Sequence, residues 1–484
     1  MPAIDLGTEL EELAARVVDA APCALEMPAG TGKTHLLAAA VLVAAKRKQR
    51  SLILTHTNAG VDALRKRLKT FGVDMTSFRI ETITSWAFTL VRSYPSLARL
   101  SVPELPDWTD SASYIEAASR VLQYKAVRRM LQVSFDFLFV DEYQDCNVKQ
   151  HQFLGAISDA VPNSVVFGDR LQGIFGFGGE ILVDWDGDVF PRFPLLSVEH
   201  KAHRWADVNP RLGAWLLGLR GSLKHGQTLD LSTVNVPGVR WVCSTDSDLA
   251  DVAFSFRDYS ETVLILDKWA GDVARHASRL GGSYSVMEDI RGRFMLDELA
   301  KLPSDGSPRI AFWLAAFAKQ CIVGLSGIDS SVLQKLGRNE PIGHLRRNGI
   351  EGVVEDLEQL RIDPSYGAAI RVARRMTMTA GLKVYRWEAW TDVLGAIEGS
   401  LVSDSGPLEE FGRIRDRLRR AGRRAHSRIA SRTLLVKGLE YDHVIIADAT
   451  KLVDPRNLYV ALTRARKSVT ILGPSPIVEL VDDA

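Results

Sequence analysis

The sequence predicts an α/β fold of two parallel-sheet domains carrying small helical insertions. Three observations support this. Short, continuous Val/Ile/Leu-rich runs recur: SLILTHT (51–57), DFLFVDE (136–142), SVVFGD (164–169), TVLILD (262–267), DHVIIAD (442–448) and SVTILG (468–473). Uninterrupted runs of this kind fit strands buried on both faces of a sheet. Helix-patterned segments separate many of them. The runs also fall in two groups, before about residue 200 and after about residue 240, giving a first domain over 1–200 and a second over 201–484.

The bulk properties agree with an ordinary globular chain. Its 484 residues allow two to four domains, and 46% hydrophobic with 25% charged residues is typical of soluble proteins. No uncharged apolar run approaches about 18 residues, so no membrane partner is expected. The start, MPAIDLGTELEEL, is acidic and lacks a secretory pattern. Cys23, Cys146, Cys243 and Cys321 are scattered without a C-x-x-C pair, which suits a cytoplasmic chain without a cysteine metal site. Net charge is +1, so no global basicity signals nucleic acid.

In chain order, the first informative element is LEMPAGTGKTHLL (25–37). Ala24–Met27 reads as a buried strand end, and the Ala/Leu-rich segment from Thr34 as a helix. A Gly-rich turn between them aims backbone N–H groups at one point, where the helix N-terminus favours an anion. The loop Pro28, Ala29, Gly30, Thr31, Gly32, Lys33 and Thr34 is therefore a candidate phosphate cradle. Lys33 would meet the β/γ-phosphates, and the Thr34 hydroxyl would ligand Mg2+. Met27 stands where a glycine usually opens such a loop, which removes none of these donors. A small insertion is expected at about 90–131. The strand FLFV then ends in adjacent acids: Asp141 suits a magnesium carboxylate, and Glu142 suits orienting and polarising a water. Residues 285–400 are helical in pattern, a second insertion. FGRIRDRLRRAGRRAHSRIASR (411–432) spaces Phe411, Ile414, Leu418, Ala421, Ala425 and Ile429 along one helix face, and Arg413 to Arg432 holds nine arginines and one acid, Asp416. This pattern predicts a ridge for nucleic acid or an acidic partner.

GTGKT, DEYQD, GDRLQGIFGF (168–177), KGLEYD (437–442) and YVALTRA (459–465), in that order, resemble the superfamily 1 helicases of the UvrD/Rep/PcrA type. The resemblance implies two RecA-like domains closing on ATP and Mg2+ at a shared cleft. It makes Lys33 and Thr34 the phosphate and magnesium contacts, Asp141 the magnesium carboxylate and Glu142 the catalytic base. It also makes Gln172 a γ-phosphate sensor, Arg204 in LSVEHKAHRWADVNPRL (196–212) a γ-phosphate ligand of the second domain, and Arg464 an arginine finger. Gly438 and Glu440 in KGLE fall at the nucleotide sugar, and His203 stands where a tyrosine usually stacks on adenine.

The same resemblance assigns single-stranded DNA contacts. Thr57 and Asn58, at a strand end running into a basic helix, would bond backbone phosphate. Ser85 and Trp86 in TITSWAF (82–88) would follow the strand, and Phe177 would stack on bases. The activity implied is ATP-dependent translocation, 3′ to 5′. The chain departs from the pattern at Gly178, usually an arginine, at Leu434, usually a histidine, and in lacking any glutamine before Gln49. Its compact size resembles the UvrD-like subunit of Gabija-type antiphage systems, which implies an OLD-family nuclease as partner and, as an alternative activity, nucleotide-gated DNA binding without strong unwinding.

Overall fold

The first sheet is made of Cys23–Glu26 (β1), Ser51–Thr55 (β2), Phe78–Thr82 (β3), Phe137–Val140 (β4) and Asn163–Gly168 (β5), all parallel, in the order β1-β5-β4-β2-β3. The computed structural model describes residues 7–103, 106, 110–174, 181–246, 248–289, 291–343, 349–421 and 426–481. β4 and β5 are nearly solvent-free because helices cover both faces, which is why their sequences run apolar without alternation. The helix Lys33–Lys46 follows β1 and is itself buried along most of its length, as its Ala/Leu/Val content requires. Thr57 caps the helix Asn58–Thr70, and Thr82 caps Ile83–Ser93. Asn147 and Gln150 form a reciprocal cap on Val148–Ala160.

Between β3 and β4 the chain forms the helices Ile83–Ser93, Pro95–Ala98, Ser111–Val121 and Lys125–Ser134. Their apolar faces join the core on one side of the sheet, with Trp86, Tyr114 and Leu131 buried. A separate core on the other face holds Leu36, Leu37, Leu64 and Phe139.

The second sheet has six parallel strands, in the order Val239–Cys243, Ala465–Gly473, Tyr441–Ile446, Val263–Leu266, Arg428–Ser431 and Ser285–Val286. The helices from Arg293–Ala300 to Trp387–Ser400 build a core of their own. There the rings of Trp313, Phe317 and Trp390 stack at 5.4 Å spacings. Both sheets with their helices are RecA-like α/β units.

By contacts the chain divides into Met1–Thr228 with Asp454–Thr463 and Leu480–Ala484, and Leu229–Val453 with Arg464–Glu479. The division expected at residue 200 therefore falls inside the first unit. The helix Pro210–Lys224 buries Leu212, Leu216 and Leu223 there, and the helix Pro455–Leu462 packs beside it. The arginine-rich segment also differs from the expected single helix. Its helix is Pro407–Ala421, and Arg428–Ser431 is a buried strand, because pairing on both sides in the sheet outweighs a helical face for Ile429.

Several of its arginines have intrachain partners. Arg413 pairs with Glu409 and Glu410, Arg415 is buried on Asp392 at 2.8 Å, and Arg432 meets Asp289 at 3.1 Å. Arg428 donates to the carbonyls of Phe256, Asp258 and Glu261. Arg415, Arg428 and Arg432 thus tie separate segments of the second unit together, while Arg413 pairs within its own helix. Arg423 and Arg424 lie outside the described residues, as do Phe177 and Gly178. Among the described residues no helix is long and apolar enough to cross a membrane.

Candidate nucleotide site

β1 and β4 are two strands apart in the sheet and both end at the same edge, so the loop after β1 and the acids after β4 converge. Gly30 and Gly32 adopt φ of 72° and 88°. An added Cβ at Gly30 would lie 2.5 Å from the Trp205 ring and 2.9 Å from Arg204 Cβ, so no other residue fits without displacement. Gly32 caps the helix Lys33–Lys46 without a side-chain hydrogen bond, which leaves its first N–H groups to an incoming anion.

Lys33 Nζ is buried 2.8 Å from Glu142 Oε1 and 3.9 Å from Asp141 Oδ1. Burial disfavours its charge, but Glu142 and then Asp141 more than offset that, so its pKa is raised. The ammonium meets no acceptor in hydrogen-bonding geometry. Three buried N–H donors beside a capless helix end fit a polyphosphate. For a magnesium ion, the Thr34 hydroxyl and the Asp141 carboxylate are hard oxygen donors of the right kind. Among the described residues no cluster of three or more His, Cys, Asp or Glu could hold a metal alone, whereas a nucleotide-bound Mg2+ needs only one or two protein ligands.

The other expected residues distribute as follows. Gln172 is buried and donates through Nε2 to Asp169 at 2.9 Å. Arg204 and His203 belong to the first unit, a correction to their assignment to a second domain. The Arg204 N–H donates to the Gly30 carbonyl at 3.0 Å, and its guanidinium donates to the Thr463 carbonyl. His203 is exposed, with Cδ2 3.5 Å from where a Gly32 Cβ would stand. Pro28 accepts from the Thr31 hydroxyl at 2.8 Å. The Ala29 N–H is shared between Asp169 Oδ2 and the Tyr459 hydroxyl, at 3.2 Å each, and so points away from the cradle. In the second unit Arg464 is 1% exposed and donates to the Leu439 carbonyl at 3.2 Å, while Gly438 (φ 80°) and Glu440 are exposed.

Of the nucleic-acid candidates, Thr57 and Asn58 are exposed, and Thr57 Oγ1 accepts from Gly60 N–H. Ser85 is half-buried, its hydroxyl and N–H both engaged with Thr82. Trp86 is a core residue, 4% exposed, edge-on to Phe135 at 6.0 Å and under the Arg79 guanidinium at 4.7 Å. In that position it offers no face to a base, which corrects its expected role.

The sequence reading missed a buried network behind the loop. Asp169, fully buried, binds Arg220 through both oxygens at 2.8 and 2.9 Å. Arg220 also donates to the Tyr459 hydroxyl at 2.8 Å and to Glu26 at 3.2 Å. Burial works against the guanidinium, but Asp169 and Tyr459 outweigh it, so its pKa is raised. Glu26 further collects Arg170 at 3.0 Å and Lys224 at 2.7 Å. The only sequence signal was an arginine within the otherwise apolar stretch AWLLGLRGSL.

Fold and site together define a P-loop protein with RecA-like units. The AAA domain family model matches residues 11–178, the span holding the loop, the paired acids and Gln172. The model of the UvrD-like helicase C-terminal domain matches 435–472, the span holding KGLE and Arg464. Over these two spans the chain is similar to the AAA domain family and to the UvrD-like helicase C-terminal domain. Among solved structures it is similar to the Pif1 helicase from Candida albicans, at 11% identity and a TM-score of 0.39, over 97% of this chain and 94% of that one. A comparison with curated proteins finds no match.

Proposed function

We propose that the protein is an ATP-dependent translocase or helicase on single-stranded DNA, moving 3′ to 5′. The observation that carries this reading is Lys33 held beside Glu142 and Asp141 at the mouth of an uncapped helix. Lys33 turns from Glu142 to the β/γ-phosphates when nucleotide enters. Glu142, relieved of that cation, accepts a proton from the attacking water, and Gln172 reports the γ-phosphate. Thr34 and Asp141 would hold Mg2+, which would supply neutralisation of phosphate charge. Arg464 acts as the finger for charge developing on the transferred phosphoryl group. His203, Gly438 and Glu440 serve the base and sugar, and Arg204 serves the γ-phosphate. Thr57, Asn58 and Ser85 hold the DNA backbone, and Phe177 stacks on bases.

The test is ATP hydrolysis with and without single-stranded DNA, followed by streptavidin displacement from biotinylated ends. Stimulated hydrolysis and displacement from one end only are expected. Unstimulated hydrolysis with nothing displaced would refute the motor. It would instead favour the second reading, a nucleotide-gated DNA-binding subunit of a nuclease complex in antiphage defence, with an OLD-family nuclease as partner. The replacements at Gly178 and Leu434 support that alternative. Glu142→Gln abolishes hydrolysis under both.

A further inference from the structure

Gln144 lies within DEYQD and has no role in the scheme above. Its side chain is 2% exposed. Its Oε1 accepts the Asp169 main-chain N–H at 2.9 Å, and its Nε2 donates to Glu142 Oε2. The polarity of both partners is fixed, since a peptide N–H only donates and a carboxylate only accepts. The amide of Gln144 therefore has a single orientation, with its NH2 group facing Glu142. The space it occupies is kept open by Gly168, where a Cβ would fall 2.8 Å from Gln144 Oε1 and 2.6 Å from the Trp185 ring.

Glu142 needs such support. It sits at φ 57° and ψ 38°, a left-handed conformation rare for a side-chain-bearing residue, and its side chain is 29% exposed. Its other oxygen meets Lys33 at 2.8 Å, and in the reading above that lysine leaves it when phosphate arrives.

We propose that Gln144 is a positioning residue for hydrolysis: its amide holds Glu142 Oε2, so that Oε1 stays aimed at the cradle after Lys33 turns to the nucleotide. This rests on Glu142 being the base in the reading above. The anchor behind Gln144 is the segment that also carries Gln172 and meets Ala29. The base, the γ-phosphate sensor and the phosphate loop are thereby referred to one fixed point, Asp169.

The experiment is steady-state ATP hydrolysis by the full chain in two variants, with thermal midpoints recorded. Gln144→Met keeps the length and loses both hydrogen bonds. Gln144→Glu keeps an acceptor for Asp169 N–H and loses the donor to Glu142. Both are expected to lower kcat by about tenfold or more while KM for ATP stays within about threefold, since a misaimed base affects the transition state and not nucleotide binding. Native kcat in Gln144→Glu would overturn the proposal, because only the acceptor would then matter. So would kcat in Gln144→Met within twofold of native, or a loss shared equally by kcat and KM. If Gln144→Met fails to fold, Gln144→Glu decides alone. Glu142→Gln separates the two levels. If it retains native hydrolysis, the base assignment falls and this proposal with it. If it is inactive while both Gln144 variants turn over normally, only this proposal falls.

Discussion

Replacing Arg220 with methionine removes a guanidinium from a site where its partner has no solvent to turn to. Arg220 is 9% exposed and Asp169 is 0% exposed, and two contacts of 2.8 and 2.9 Å join them. Breaking one side of a buried ion pair costs about 3–5 kcal/mol, mostly from the charge left behind. Asp169 would retain the N–H groups of Ala29 and Leu171 at 3.2 Å and the Gln172 amide at 2.9 Å. The lower end, ~3 kcal/mol, is therefore expected. For a unit in the 150–250-residue range this corresponds to a fall in Tm of roughly 6–12 °C, at about 2–4 °C per kcal/mol. Methionine fills most of the volume, so a cavity adds little. Adding Asp169→Asn removes the stranded charge, and the double variant should recover at least about 2 kcal/mol relative to the sum of the singles. Urea and thermal melts of the four proteins followed by circular dichroism measure this. A loss below about 1 kcal/mol in Arg220→Met, or strictly additive losses, would refute the reasoning that the pair stands as a unit.

Four other outcomes are expected. Lys33→Met should abolish binding of a fluorescent ATP analogue at a smaller cost in stability than Arg220→Met, because the nearer stranded carboxylate, Glu142, is 29% exposed and keeps solvent when the cation goes; a fall in Tm as large as that of Arg220→Met would contradict this. Gly30→Ala forces a Cβ into Trp205 at φ 72°, so nucleotide affinity should fall about tenfold or more with a stability loss of about 1–3 kcal/mol, read by titration and melting. Trp86→Phe should leave single-stranded DNA affinity, measured by fluorescence anisotropy, within about twofold, because the ring is a core residue and not a stacking platform. His151, hydrogen-bonded to the Tyr143 hydroxyl at 2.9 Å, has a pKa lowered from 6.5, chiefly by burial. The unfolded chain therefore takes up a proton at a pH where the folded chain does not. The contribution of His151 is complete above about pH 6.5 and declines as pH falls below it. Tm should drop from pH 7.5 to 5.5, and His151→Gln should reduce that slope.

The legible parts of the site were those written in contiguous residues. GTGKT prescribes its own turn, because glycines at 30 and 32 permit the left-handed backbone that the loop adopts. FLFVDE prescribes a buried strand ending in acids, and it is found as one. The strand Arg428–Ser431 was missed because RIAS follows an arginine-rich helical repeat, and its burial depends on neighbours at 263–266 and 285–286. Trp86 was misread because an aromatic beside a polar cap looks the same in sequence whether it faces solvent or the core.

The amino-acid order alone thus determined the class of fold, the glycine turn between β1 and its helix and the acids at the end of β4, since each depends on local conformation and on a strand's own apolar content. Only the tertiary structure decided what stands behind them. Ala29 and Tyr459, which share a hydrogen bond, are 430 residues apart in the chain, and Arg220 and Asp169 are 51 apart. No local propensity records which buried charge will meet which. That pairing is selected when the helices Pro210–Lys224 and Pro455–Leu462 bury their apolar faces on the first unit, because a charge carried into that core is tolerated only where an opposite one awaits it.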